Sequence, residues 1–347
     1  MPSQLDIRTH LLAGQAIPAL PLALDRRRRW DERRQRAVLR YYIDAGVGGI
    51  AVGVHSTQFE IRDPAHGLFQ PVLALAAETI TDWLPKRRPF IRIAGLCGPT
   101  RQARAEAACA RDLGYHAGLL SLAAWKQGSE RAVLRHCREV TGVLPIIGFY
   151  LQAAVGGRAF SYRFWREFAE IPEVVAIKMA PFNRYQTLDV VRAVMDSGRE
   201  DIALYTGNDD NIIADLLTPF VHGGKSRRVV GGLLGQFGVW TERAVALFEE
   251  IKRARLHEKM SADWLTQNAA LTDANAAVFD AANGFAGCIP GIHEILRRQG
   301  IFTTTACLNP HEKLSPGQAA ELDRVTRAYP WLVDDAFVSA RLERWLS

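Results

Sequence analysis

The strongest constraint on this chain is a rhythm. Eight times, a short apolar run is followed by a longer amphipathic, charged stretch. The apolar runs fall at 16–24, 48–55, 89–96, 116–123, 144–151, 174–180, 202–206 and 228–234. The amphipathic stretches follow at 29–45, 70–84, 100–113, 130–141, 161–169, 186–197, 211–220 and 240–255. Strands alternating with helices of this length read as repeated βαβ units on a parallel sheet. Eight such units predict an α/β chain closed into a (β/α)8 TIM barrel. An open doubly wound sheet is the alternative. It has no dinucleotide fingerprint to support it, because no GxGxxG follows the first run. Beyond about residue 255 the strand rhythm stops, and 259–347 reads as helical. The expected division is a barrel domain over 1–256 and a C-terminal helical extension over 257–347.

Composition narrows the function classes. The 347 residues hold 43 Lys+Arg against 37 Asp+Glu, a net charge of +6. That mild excess does not point to nucleic acid and suits an anionic small substrate. The Arg26–Arg29 run is the most basic patch, but Trp30, Asp31 and Glu32 interrupt it, as on a solvated helix. No apolar run reaches the roughly 18 residues a membrane span needs. The N-terminal stretch lacks the basic-then-apolar order of a signal peptide. Five scattered cysteines without a CxxC pattern suit a reduced, cytoplasmic protein. No His, Cys, Asp or Glu set has metal-ligand spacing, so neither metal nor cofactor is expected.

In a barrel of this kind, chemistry sits at the C-terminal ends of the strands. There the sixth run, Glu173-Val-Val-Ala-Ile-Lys-Met-Ala180, carries one charge. Alternation puts Val174, Ala176 and Lys178 on one face and Val175, Ile177 and Met179 on the other. The small set, ending in Lys178, would point inward. A lysine there loses hydration of its charged form, so its pKa falls, and a neutral amine is what a Schiff-base nucleophile needs. The alternative is a lysine that snorkels outward or pairs with a carboxylate. In the fifth run, Leu144-Pro-Ile-Ile-Gly-Phe-Tyr-Leu151, alternation groups Ile146, Gly148 and Tyr150. Tyr150 would then point inward, one strand from Lys178, and move protons beside it. A core tyrosine with a satisfied hydroxyl is the competing reading.

These pieces resemble the dihydrodipicolinate synthase / N-acetylneuraminate lyase family of class I, Schiff-base (β/α)8 enzymes. The matching segments are Pro-Ile-Ile-Gly-Phe-Tyr150, Val-Val-Ala-Ile-Lys178, Tyr205-Thr-Gly-Asn-Asp-Asp210 and Ala94-Gly-Leu-Cys-Gly98. They occur in order and span most of 14–250. The Tyr150-to-Lys178 interval also fits the family. The resemblance implies that Lys178 forms an imine with a 2-oxo acid and that Tyr150 is its proton-transfer partner. It further implies a homotetramer or homodimer whose C-terminal helices pack against the barrel.

The departures point away from the synthase itself. The family's second-strand loop reads Gly-Thr-Thr-Gly-Glu and cradles the substrate carboxylate. Here it reads Gly53-Val-His-Ser-Thr-Gln-Phe-Glu60. Ser56 and Thr57 offer hydroxyls, while His55 or Glu60 could add proton transfer. The synthase's second tyrosine is missing from Ser121-Leu-Ala-Ala-Trp125. Its arginine after the fifth strand is replaced by Val155, with Arg158 three residues on. Gly207 falls where the family brings backbone close to substrate. Asn208, Asp209 and Asp210 precede a helix and read as N-caps. Gly231-Gly-Leu-Leu-Gly-Gln-Phe-Gly238 reads as close packing at the rim, with phosphate binding as the alternative. His116 reads as structural.

The expected function is a lyase or aldolase acting on a 2-oxo acid, either pyruvate-type or a sugar acid, through Lys178. The competing readings are a sugar-acid dehydratase using the same imine and a lapsed barrel that binds a small molecule. Neither nucleic acid nor membrane is expected as a partner.

Overall fold

The computed structural model describes residues 5–153 and 156–347. The chain opens with α1 (Ile7–Leu12), β1 (Ala16–Pro18), α2 (Glu32–Ala45), β2 (Gly49–Val52) and α3 (Phe69–Trp83). It continues through β3 (Ile91–Leu96), α4 (Thr100–Asp112), β4 (Ala117–Leu120), α5 (Glu130–Thr141), β5 (Ile146–Leu151) and α6 (Tyr162–Ala169). Then come β6 (Val174–Ala180), α7 (Arg184–Ser197), β7 (Ala203–Thr206), α8 (Ile212–Leu217), a hairpin of β8 (Pro219–His222) and β9 (Lys225–Arg228), β10 (Gly231–Leu234) and α9 (Thr241–Ala254). The C-terminal part is helical: α10 (Asp263–Val278), α11 (Cys288–Arg298), α12 (Gln318–Ala328), α13 (Asp335–Ser339) and α14 (Leu342–Leu346).

Eight parallel strands line up in the order β1-β10-β7-β6-β5-β4-β3-β2. A parallel bridge between Ala19 and Ala51 closes β1 onto β2, and the Leu20 N–H donates to the Ala51 carbonyl at 2.9 Å. The result is the expected TIM barrel with C-terminal helices. Local signals set the helix ends. Asp31, Ser129, Ser161 and Asn183 accept backbone N–H groups at the starts of α2, α5, α6 and α7.

Two apolar layers result. The barrel interior holds Ile17, Ala51, Ile93, Leu119, Ile147, Phe149, Ala176 and Leu233, with Leu11 of α1 packed among them. A larger layer fills the space between strands and helices and includes Ile146, Tyr150, Ile177 and Met179. The antiparallel β8–β9 hairpin is absent from the expected rhythm. The helix expected over 211–220 stops at Leu217, because Pro219 has no N–H to continue it.

One register detail matters for the site. Ile146 pairs with Val174, but Ile147 pairs with Ala176, so Val175 is an extra residue on β6. Such a bulge swaps the faces on either side of it. Val174 therefore lies on the helix side and Val175 inside, the reverse of simple alternation. From Ala176 onward the expected faces hold, and Phe149, not Tyr150, sits opposite Lys178.

The C-terminal helices are pinned to the barrel at several points. Trp345 is fully buried against Tyr41, and its indole N–H donates to Asp44 at 2.8 Å. The Tyr41 hydroxyl donates to Asp334 at 2.7 Å. The Leu308 N–H donates to the Gln58 side-chain oxygen at 2.5 Å, tying the C-terminal part to the loop after β2. No helix among the described residues is long and apolar enough to cross a membrane.

Candidate active site

A cavity opens at the C-terminal ends of the barrel strands and encloses about 700 Å³ of space, counting its open side. β6 delivers Lys178 to it, β7 leads into Gly207 and Asp209, and the loop after β2 contributes His55 and Ser56. Phe279, Phe285, Cys288 and Ile292 of the C-terminal part close the far wall.

Lys178 is held by shape. Its ammonium nitrogen lies 4.4 Å from the centre of the Phe149 ring. A Cβ added to Gly207 would stand 2.5 Å from Lys178 Cε and 2.8 Å from Ala180 Cβ. Glycine is therefore required there for a close approach, not for an unusual backbone angle. Burial lowers the Lys178 pKa, and the Asp209 carboxylate partly opposes that shift.

The structure does not bring Tyr150 to the cavity, contrary to the expectation from strand alternation. Tyr150 lies between strand and helix, against Trp165 at 5.0 Å between ring centres, and does not line the cavity. Its hydroxyl accepts the Phe160 N–H at 3.3 Å. Burial raises its pKa. Tyr150 shares the helix-facing side of β5 with Ile146, and the extra residue on β6 makes Phe149 the register partner of Lys178, 178 − 149 = 29 residues upstream. Gly148 shares the outward face with Tyr150, where the Phe168 ring fills the space of its missing side chain. Tyr205 does not take over the role. It is buried inside the barrel, donating to the Leu11 carbonyl at 2.9 Å and accepting the Gln15 N–H at 3.1 Å.

Thr57 is the second correction. Its hydroxyl donates to the Leu20 carbonyl at 2.6 Å and accepts the Gly53 N–H at 3.0 Å. It braces the loop and does not line the cavity. His55 and Ser56 do line it. Burial, and then the nearby Lys178 charge, hold the His55 pKa down to about 4, so its imidazole is neutral at neutral pH. The loop is anchored by Arg62, whose guanidinium meets Glu106 at 2.9 Å and donates to the Gly53 and Gly95 carbonyls at 3.0 and 2.9 Å. Glu60 stays outside the cavity, facing Cys307 and Glu312.

Asp209 is the residue the sequence reading misses. It does not cap α8, whose N-cap is Asn211. Its side chain lines the cavity, and its Oδ1 is buried with no hydrogen-bond partner among the described residues. Burial raises its pKa, while the Lys178 charge pulls it the other way. Asn208 is not a cap either. It accepts the Phe182 N–H at 3.0 Å and donates to Asp215 at 3.0 Å. That bond holds Phe182 in a left-handed conformation, φ 51°, which no β-carbon residue adopts without cost. Phe182 meets Phe285, also left-handed at φ 69°, edge to face at 5.8 Å, and both rings line the cavity.

Arg158 does not reach the cavity; it donates to the Trp125 carbonyl at 3.0 Å. Val155 lies outside the described residues. The glycines after β10 pack closely, with Gly232 against the Phe237 ring and Gly235 against the Phe279 ring. His116 accepts the Arg92 N–H at 3.0 Å, a structural bond. No group of three or more metal-binding side chains is present among the described residues.

The fold and the cavity together define a (β/α)8 barrel with a lysine at the C-terminal rim, covered by C-terminal helices. No protein-family profile matches the chain. In sequence it is 23% identical over 314 residues to N-acetylneuraminate lyase 2 of Escherichia coli O6:H1, covering 90% of this chain and 92% of the relative. In fold it resembles CdNal from Clostridium difficile in complex with mannosamine, with a TM-score of 0.72, 17% identity and coverage of 91% and 99% of the two chains. A prophage protein of the dihydrodipicolinic acid synthase family from E. coli K12, in complex with pyruvate, gives a TM-score of 0.73 at 16% identity, with 92% and 99% covered. The chain thus shares the fold of these proteins, at low sequence identity.

Proposed function

We propose that this protein is a class I lyase or aldolase, in which Lys178 forms an imine with a pyruvate-type 2-oxo acid. One observation carries the proposal. Lys178 is the amine of the rim cavity, its charge weakened by burial, its nitrogen beside the Phe149 ring and its stem against Gly207. A deprotonated amine adds to the ketone carbon, and loss of water leaves an imine. That imine draws electrons from the neighbouring carbon, so a bond there can break or form. His55 and Ser56 are the groups proposed to meet the carboxylate. The neutral imidazole and the hydroxyl can donate to it without adding a charge.

The apolar lining of the cavity favours an apolar second half for the substrate. Leu119, Leu151, Phe182, Phe279, Phe285 and Ile292 line it, with Gln152 as an amide among them. Each sugar hydroxyl buried there without a partner would cost about 1–3 kcal/mol. An aromatic or aliphatic aldehyde costs nothing of the kind. The reading is therefore a pyruvate-dependent aldolase or lyase for apolar aldehydes, not an enzyme of polyhydroxylated sugar acids.

The test is a condensation panel read by mass spectrometry. Pyruvate is offered with benzaldehyde-type aldehydes and, separately, with sugar aldehydes. A new carbon–carbon adduct with the aromatic set supports the proposal. Turnover confined to sugar aldehydes, or dehydration of sugar acids without aldol products, contradicts it.

A further inference from the structure

Lys178 chemistry needs a group that gives a proton to departing water and takes one from the substrate. Tyr150 is turned away, the facing side chain is Phe149, and a phenyl ring carries no exchangeable proton. Within the cavity, the polar neighbours are few. Ser56 is a weak acid, and His55 is disfavoured as a proton carrier by burial and by the Lys178 charge. Asp209 stands apart. It lines the same cavity, the Lys178 charge acts on it, and its Oδ1 is buried and unpartnered among the described residues. An orphaned buried carboxyl oxygen in a native fold requires a reason.

We propose that Asp209 is the proton-transfer group of this site, serving from the loop after β7 in the place left by the outward-turned tyrosine of β5. The proposal rests on the imine reading of Lys178. The steps balance as follows. The Lys178 nitrogen pair forms the N–C2 bond, the ketone π pair moves to oxygen, and a proton passes from nitrogen to that oxygen. The Asp209 carboxylic acid then protonates the hydroxyl, which leaves as water while the nitrogen pair closes C=N as an iminium. The Asp209 carboxylate next removes a proton from C3. The C–H pair becomes C2=C3, and the C=N pair returns to nitrogen as an enamine. One carboxyl group thus ends the sequence in the protonation state in which it began.

The groups facing Asp209 are Lys178 from β6, Asp210 from its own loop and Cys288 from α11, with His55 beyond Lys178. Burial and, less so, Asp210 favour its acid form, while Lys178 and the backbone N–H of Gln236, in the loop after β10, favour its carboxylate. A carboxyl poised between the two forms suits a group that must serve as both acid and base.

Exchange of the C3 protons of pyruvate with D2O, followed by NMR, reads the step directly. Borohydride labelling of Lys178 by pyruvate is run on the same preparations. The expected result is that Asp209→Asn slows exchange about 10²-fold or more, while prolonged incubation still labels Lys178. Asp209→Glu regains part of the rate with a displaced pH profile. Asp209→Asn combined with Phe149→Tyr also recovers rate, because it restores a hydroxyl beside the lysine. Thermal unfolding confirms that each variant is folded; if Asp209→Asn is not, Asp209→Glu and its pH profile decide. Exchange within a few-fold of wild type in Asp209→Asn, with Lys178 labelled in both, overturns the Asp209 role and leaves the imine standing. An unchanged profile in Asp209→Glu overturns it equally. Absence of label on wild-type Lys178 removes the imine reading and this proposal with it.

Discussion

Phe149 faces Lys178, its ring centre 4.4 Å from the lysine nitrogen, while its neighbour Tyr150 faces the opposite way into the helix layer. A π face next to an amine attracts its charged form, worth about 0.5–2 kcal/mol. Burial opposes that form, and burial dominates the shift here.

Tyr150 is a structural residue in this arrangement. Tyr150→Phe removes a hydroxyl that accepts one backbone N–H and leaves the ring packed against Trp165. The expected cost is about 1 kcal/mol in urea unfolding, with pyruvate labelling of Lys178 within a few-fold of wild type. A loss of labelling by orders of magnitude would place the phenol in the chemistry after all.

The face of Tyr150 is also where sequence reading reaches its limit. The eightfold rhythm is legible because each strand is apolar and each helix amphipathic. Which residues of β5 point inward is not, because a parallel strand is buried on both faces. Ile146, Ile147, Phe149 and Tyr150 suit either side. The bulge at Val175 leaves no mark in a run of valine, alanine and isoleucine. Lys178 is legible because a lone charge in an apolar strand stands out. Asp209 is hidden for the opposite reason: it sits among Asn208 and Asp210 before a helix, where caps are common. The β8–β9 hairpin is hidden because its first strand begins inside the apolar end of the stretch read as a helix over 211–220 and its second, Lys225–Arg228, is charged.

Gly207 is predicted to be intolerant of even one carbon. The Cβ of Gly207→Ala would lie 2.5 Å from Lys178 Cε, so the lysine stem has to move. Displacement of about 1 Å at a reacting group costs on the order of 10² in rate. Borohydride labelling in Gly207→Ala is expected to slow by that order while circular dichroism stays native-like. Labelling at the wild-type rate would mean that the stem is free to shift.

The loop carrying His55 and Ser56 depends on a pair outside the cavity. Arg62 and Glu106 side chains are 10% and 8% exposed, and Glu106 also accepts from the Cys97 N–H at 3.0 Å and from Gln102 at 2.8 Å. Glu106→Ala leaves a buried guanidinium uncompensated, at a cost of about 3–5 kcal/mol. The midpoint of urea unfolding should fall accordingly, and the pyruvate concentration needed for half-maximal labelling should rise. An unchanged midpoint would show that the pair is solvated.

His55 gives a pH prediction. The imidazole takes its proton near pH 6.5 in the unfolded chain but only near about 4 in the folded one. The unfolded state therefore holds more protons between these values. The contribution of His55 to stability is fully present above about 6.5 and is lost as the pH falls toward about 4. NMR of the histidine rings should show the His55 resonances flat from about pH 5.5 to about 8, whereas an ordinary histidine titrates in that range. A midpoint near 6.5 would mean that the ring is open to water and that the cavity is wetter than drawn.

The most direct measurement is borohydride reduction in the presence of pyruvate and a panel of other 2-oxo acids, followed by peptide mass spectrometry. The expected result is one covalent adduct, on Lys178, absent from Lys178→Ala. Its formation rate should rise with pH and level off below the usual lysine range, because burial lowers the Lys178 pKa. Folded wild-type protein that takes up no adduct across the panel, or that is labelled at another lysine, would contradict the assignment of Lys178 as the nucleophile.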